Sequence, residues 1–167
     1  MNISLLINGA DRAASGGRTY DRIDPFTEKL ASRAAAANLD DVAAAVDAAS
    51  AAFSTWSKTG PGQRRASLMK AADIMDSKAG EFTRLMIEET GATAPWAGFN
   101  VMLAANILRE AGAMTTQISG EIIPSDKPGT LAMGVRQAAG VCLAIAPWNA
   151  PVILATRAIA MPIACGN

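Results

Sequence analysis

The chain has 167 residues, half of them hydrophobic, which is enough for one ordinary domain with a core of its own. Its 15 basic and 15 acidic side chains cancel, so it offers no electrostatic footprint for nucleic acid or an anionic lipid surface. It contains no histidine, which excludes Ser-His-Asp and Cys-His catalysis within the chain, and Cys142 and Cys165 lack zinc or disulfide-framework spacing, so no metal and a reducing cytoplasm are expected.

The amino terminus has no basic leader and too short an apolar run for a secretory signal. Alternating apolar and polar residues at 5–8 and 19–24 predict two strands separated by a turn-rich stretch over 9–17, and 30–36 predicts a third. Asn38 before Leu39-Asp40-Asp41 supplies an N-cap and an acidic first turn. Val42, Val46, Ala49, Phe53 and Trp56 follow at steps of four, three, four and three, so they share one helical face, expected to dock in the core. Gly60-Pro61-Gly62 ends that helix and opens the next, which runs through Arg64, Leu68, Ala72 and Met75 towards Lys78. A third helix carries Phe82, Leu85 and Met86 and stops at Gly91. From Trp96 to Ile118 the positions Phe99, Leu103, Ile107, Ala111, Met114 and Ile118 keep helical spacing, closed by Gly120.

Residues 121–124 and 131–137 read as two strands joined by a turn over 125–129. Val141 to Ile145 is a short apolar run bounded by Gly140 and Pro147, the pattern of a strand buried on both faces in a parallel sheet. Pro151 suits the first turn of a helix that continues through Ala160. Asn149 lies between the two prolines at the carboxyl end of the predicted strand, where open α/β sheets place their ligand crevice. Its amide offers two N–H donors at any pH, so it can either meet a developing oxyanion or cap the helix that follows, and both roles stay open here.

Residues 138–166 carry a single formal charge, Arg157, and are long enough to cross a bilayer. Three prolines, Asn149 and Arg157 argue against a membrane span. A charge in so apolar a run is expected either to be paired in a structural salt bridge or to face a ligand. No G-x-G-x-x-G, G-x-x-x-x-G-K-[ST] or H-E-x-x-H motif is present. Glu88 and Glu89, adjacent near a helix end, read as solvated, Arg64 and Arg65 as a wet face, and Cys142 and Cys165 as small buried hydrophobes.

Pro147-Trp148-Asn149-Ala150-Pro151, followed by the run from Ala160 to Gly166-Asn167, resembles the Pro-Trp-Asn-x-Pro to Gly-Asn segment of the aldehyde dehydrogenase superfamily. Leu6-Ile7-Asn8-Gly9, Asp24-Pro25, Ala52-Phe53-x-x-Trp56, Arg64-Arg65, Glu89-Thr90-Gly91, Gly120-Glu121-x-Ile123-Pro124 and Arg136-Gln137-x-x-Gly140-Val141 fall in the same family order, so the resemblance covers essentially the whole chain. Trp96-Ala97-Gly98-Phe99-Asn100 and Ala155-Thr156-Arg157-Ala158-Ile159-Ala160 are most similar to the branch that oxidises aromatic aldehydes, the vanillin, salicylaldehyde and benzaldehyde dehydrogenases.

The resemblance implies an α/β fold. It places the amino-terminal part of a cofactor-binding domain at 1–119, an oligomerisation β-ribbon at 120–138, and the first strand and helix of a Rossmann-like dinucleotide-binding sheet at 139–167. It implies NAD, with NADP not excluded, an aromatic aldehyde as substrate, and homo-oligomers of the full-length enzyme. In such enzymes a cysteine thiolate attacks the aldehyde, the tetrahedral oxyanion passes hydride to the cofactor, and water activated by a glutamate releases the acid. Asn149 matches the oxyanion stabiliser, and Ile145, Ala146, Pro147 and Trp148 match the cofactor groove. Trp96, Ala150 and Arg157 match the edge of the aldehyde pocket, where Ala150 in place of a bulky aromatic leaves room for a ring. The nucleophilic cysteine, the glutamate and a cofactor-binding lysine belong downstream of the Gly-Asn segment, so residues 1–167 alone are expected not to turn over. An aliphatic or semialdehyde substrate, or a non-catalytic interaction fragment, are the alternatives.

Overall fold

The computed structural model describes residues 1–167. Short strands come first: β1 (Asn2–Ile3), β2 (Leu5–Ile7), β3 (Ala10–Arg12), β4 (Thr19–Ile23) and β5 (Leu30–Ala35). β5 is the centre of a three-stranded sheet, parallel to β1 and antiparallel to β4, while β2 and β3 form a separate hairpin. β3 falls inside the stretch expected to be all turn. Its cause is Asn8-Gly9, both with positive φ, a two-residue hairpin turn that folds Ala10 back onto Ile7.

α1 (Leu39–Trp56) opens on Asn38 as its N-cap, as the sequence predicts, and Asp41 turns that cap into a reciprocal capping box. Asn38 Oδ1 accepts from the Asp41 N–H at 3.0 Å, and Asp41 Oδ2 accepts from the Asn38 N–H at 3.0 Å. The Ser15 N–H donates to both Asp41 oxygens, which ties the β3–β4 loop to the helix start. These N–H groups, Asn38's foremost, hold the Asp41 carboxyl below the ordinary range despite the opposing effect of burial.

α2 (Pro61–Ser77) starts with Pro61 in its first turn, and α3 (Ala79–Thr90) ends on Gly91 in the left-handed region, as expected. A Cβ at Gly91 would lie 2.7 Å from Pro25 Cγ, so the close approach of that loop also requires glycine. α4 (Ala94–Met114) is the organising helix, packing on α2, α3 and α5 (Pro151–Ala164).

Of the positions at helical spacing only Ala111 is fully buried, and Ile107 packs against the core from its edge. Ala97, Val101, Ala104, Ala105, Leu108, Ala111 and Gly112 are buried, whereas Phe99 and Met114 are exposed. Small side chains on the seam let α2 and α5 approach closely, and Leu68, Ala72, Ala160 and Ala164 complete that core. The core of this element is therefore built mainly from small side chains.

Three further expectations fail. The α1 face is docked only at its end: Val42 and Val46 are about half exposed, while the half-buried Trp56 donates from Nε1 to the Ile163 carbonyl at 3.2 Å and lines with Phe53, Val141 and Ala144 an open apolar cavity of about 440 Å³. The ribbon is present as β6 (Glu121–Ile123) and β7 (Ala132–Gly134), but its second strand stops short of Gln137. Residues 141–145 form no strand. They make no backbone–backbone hydrogen bond, and Leu143 and Ile145 are 88% and 84% exposed. A strand exists only beside a hydrogen-bonded partner, and these residues have none in the chain.

Candidate active-site turn

The turn over 147–150 is positioned from both sides. Upstream, Asn167 Oδ1 accepts from the N–H groups of Ala139 at 2.5 Å and Gly140 at 3.0 Å, so the last residue of the chain anchors the start of the extended segment. Downstream, Pro151 begins α5 in the conformation that its ring favours. At the turn itself, Trp96 Nε1 donates to the Asn149 carbonyl at 3.4 Å. Trp96 stacks on Phe99, with ring centroids 5.6 Å apart and planes inclined by 21°. Beneath this aromatic pair, the fully buried Asn100 donates from Nδ2 to the Trp96 carbonyl at 3.0 Å.

The structure decides one of the two roles left open for Asn149. The N-cap of α5 is Ala150, and no side chain caps that helix. The Asn149 side chain is exposed and has no hydrogen-bond partner within the protein. A free carboxamide at a turn fixed by two prolines and an indole is a donor available to a ligand.

Ala146, Pro147 and Trp148 line a cavity of about 610 Å³ together with Tyr20, Arg22 and Glu89. Ile145 is exposed and outside that cavity. Ala150 is buried, and Trp96 is exposed next to the turn. Arg157 is exposed on α5 and forms no ion pair, which removes the salt-bridge reading, and no hydrogen bond joins it to Trp96 or Asn149. The sequence positions therefore converge at Trp96, Trp148 and Asn149, with Arg157 standing apart.

Other predicted surfaces are corrected by their partners. Glu89 is not solvated: its carboxylate accepts from the buried Ser32 hydroxyl at 2.5 Å and pairs with Arg22 at 2.9 Å, fastening α3 to β4 and β5. Glu88 does face solvent, paired with Arg84 along the helix. Arg64 is half-buried, not a wet face, and donates from Nη1 to the Thr59 carbonyl at 2.5 Å. Cys142 is exposed and Cys165 half-buried, so neither is the fully buried hydrophobe expected. No helix is long and apolar enough to cross a membrane.

Residues 12–167 match the family model described as the aldehyde dehydrogenase family. The chain is 58% identical over 167 residues to a vanillin dehydrogenase of Pseudomonas fluorescens, covering 100% of this chain and 34% of that protein. Among solved structures it is similar to a salicylaldehyde dehydrogenase from Pseudomonas putida G7 complexed with salicylaldehyde. That match has a TM-score of 0.98 at 46% identity and covers 100% of this chain and 34% of the other. A NAD-dependent benzaldehyde dehydrogenase from Corynebacterium glutamicum gives a TM-score of 0.92 at 32% identity, covering 97% of this chain and 35% of that one. The chain thus spans about a third of the length of these relatives.

Proposed function

The chain belongs to the aldehyde dehydrogenase family, and from that membership we propose that it serves the NAD(P)-dependent oxidation of an aromatic aldehyde of the vanillin, salicylaldehyde or benzaldehyde type to the carboxylic acid. One observation carries this reading: the Trp96 indole is hydrogen-bonded to the backbone of Asn149, whose own carboxamide is unengaged. Aromatic surface and oxyanion donor are thereby held side by side. The names of the relatives support the substrate class, since those proteins are vanillin, salicylaldehyde and benzaldehyde dehydrogenases.

Asn149 acts by donating Nδ2–H to the oxygen of the tetrahedral adduct, where negative charge develops, and a preorganised donor of this kind lowers the barrier by roughly 2.7 to 4 kcal/mol. Pro147 and Pro151 hold it there, so little reorganisation accompanies the reaction. Trp96 offers a ring face to the aromatic aldehyde, and the buried Ala150, small where a bulkier side chain could stand, leaves room beside the turn. The exposed apolar edge of residues 145–148 fits one wall of a groove for a nicotinamide cofactor, because an open, unpaired segment leaves both backbone and side chains free for contact. When bound, that cofactor supplies the hydride acceptor. Nucleophile and general base come from the family sequence that residues 1–167 do not span, and the enzyme works as a homo-oligomer.

The test is a chimera in which this chain replaces the corresponding third of the Pseudomonas fluorescens vanillin dehydrogenase. We expect kcat/KM for vanillin, salicylaldehyde and benzaldehyde to exceed that for propanal. Equal efficiency on propanal contradicts the aromatic assignment and favours an aliphatic substrate.

A further inference from the structure

We propose that the cavity between the start of α2 and residues 136–138 is a binding site for an oxyanion, a carboxylate or phosphate group gripped by Arg64 and Arg136. The cavity, of about 560 Å³, is lined by ten residues, none of them acidic, and both guanidiniums face it without a carboxylate partner. Elsewhere in the chain Arg22, Arg33, Arg84 and Arg109 each hold a carboxylate.

Arg64 carries the inference. Its Nη1 donates to the Thr59 carbonyl, and a Cβ at Gly166, where φ is +89°, would sit 3.2 Å from that same nitrogen. Backbone on both sides therefore fixes the guanidinium plane. The Nε is buried and has no acceptor. A buried, charged N–H without a partner is costly and leaves the guanidinium charge uncompensated, and Nη2, which has no partner and is not closed off, is the donor left to meet an oxygen of a carboxylate or phosphate. Arg136 adds a second positive charge at the rim, its Nε donating to the Ser119 carbonyl at 3.2 Å while its terminal nitrogens stay free. α2 opens at the same cavity through Pro61, and its N-cap Gly60 supplies no side-chain acceptor, so the helix end also favours an anion. The hydroxyls of Ser57 and Thr115 are already donated to the carbonyls of Phe53 and Gly112, which leaves the two arginines as the charged donors, with the Gln137 amide beside them.

Isothermal titration of the chain at constant ionic strength, once with sodium phosphate and once with sodium benzoate, tests this site and separates its two sources. A saturable one-to-one response to either anion is expected, and the anion that gives it identifies the group. R136Q, at an exposed position outside any ion pair, keeps the fold and is expected to weaken binding at least tenfold. R64K, which keeps the charge but loses the planar guanidinium and its open Nη2, is expected to do the same with helical circular dichroism unchanged. No saturable response to either anion, or equal affinity in R136Q, overturns the proposal.

Discussion

The α4 seam and the segment over 141–149 are both rich in small and aliphatic residues, yet one is the most enclosed part of the molecule and the other the most open. On α4 the backbone hydrogen bonds run along the helix itself, so Ala97, Ala104 and Ala105 need only a neighbouring surface and find α2, α3 and α5. Residues 141–149 depend on another strand for their hydrogen bonds, find none in this chain, and leave Leu143 and Ile145 in solvent. Apolar composition decides that a segment is suited to burial. The source of its hydrogen bonds decides whether burial happens.

That contrast is broken first by a truncation in the enclosed region. Leu68→Ala, at a site only 3% exposed, is expected to lower unfolding free energy by about 2–5 kcal/mol, read from the urea midpoint. A loss below 1 kcal/mol would mean that the helical core is not close-packed. Next in size is Asn38→Ala, which removes the α1 cap and should cost ~1 kcal/mol.

The same cap gives a pH signature. The Asp41 pKa is lowered in the fold, so its contribution is complete above the unfolded value of ~3.9 and is lost as pH falls through the lower folded value. Acid titration of Asp41→Asn should lack that final loss. The smallest effect belongs to the open region: Leu143→Ser is expected to change stability by no more than about 0.5 kcal/mol. A loss comparable to that of Leu68→Ala would show that the segment is covered after all.

How much of this was legible in the sequence depends on how local the cause is. The Asn38 cap, Pro61, Gly91 and Pro151 each act within a few residues, and all four stand where their chemistry predicts. Asn8-Gly9 carried an equally local signal for a hairpin, which a reading of the whole stretch as turn concealed. Helical spacing shows that 94–114 is a helix but not which face is buried, because close packing on α2 and α5 selects the smallest residues, Ala97, Ala104 and Ala105. Glu89 looked solvated because its partners are distant in sequence, Ser32 being 57 positions away. The same limit applies to Arg64, whose surroundings include Gly166. Family order located Trp96 and Asn149, but their contact belongs to the tertiary structure, because it joins the start of α4 to the turn before α5.

The functional claim rests on the Asn149 carboxamide being free to stabilise an oxyanion, and pre-steady-state kinetics of the chimera test it most directly. Asn149→Ala is predicted to slow acylation by roughly 10² to 10³ with cofactor affinity unchanged. An acylation rate equal to that of the parent chimera would contradict the account.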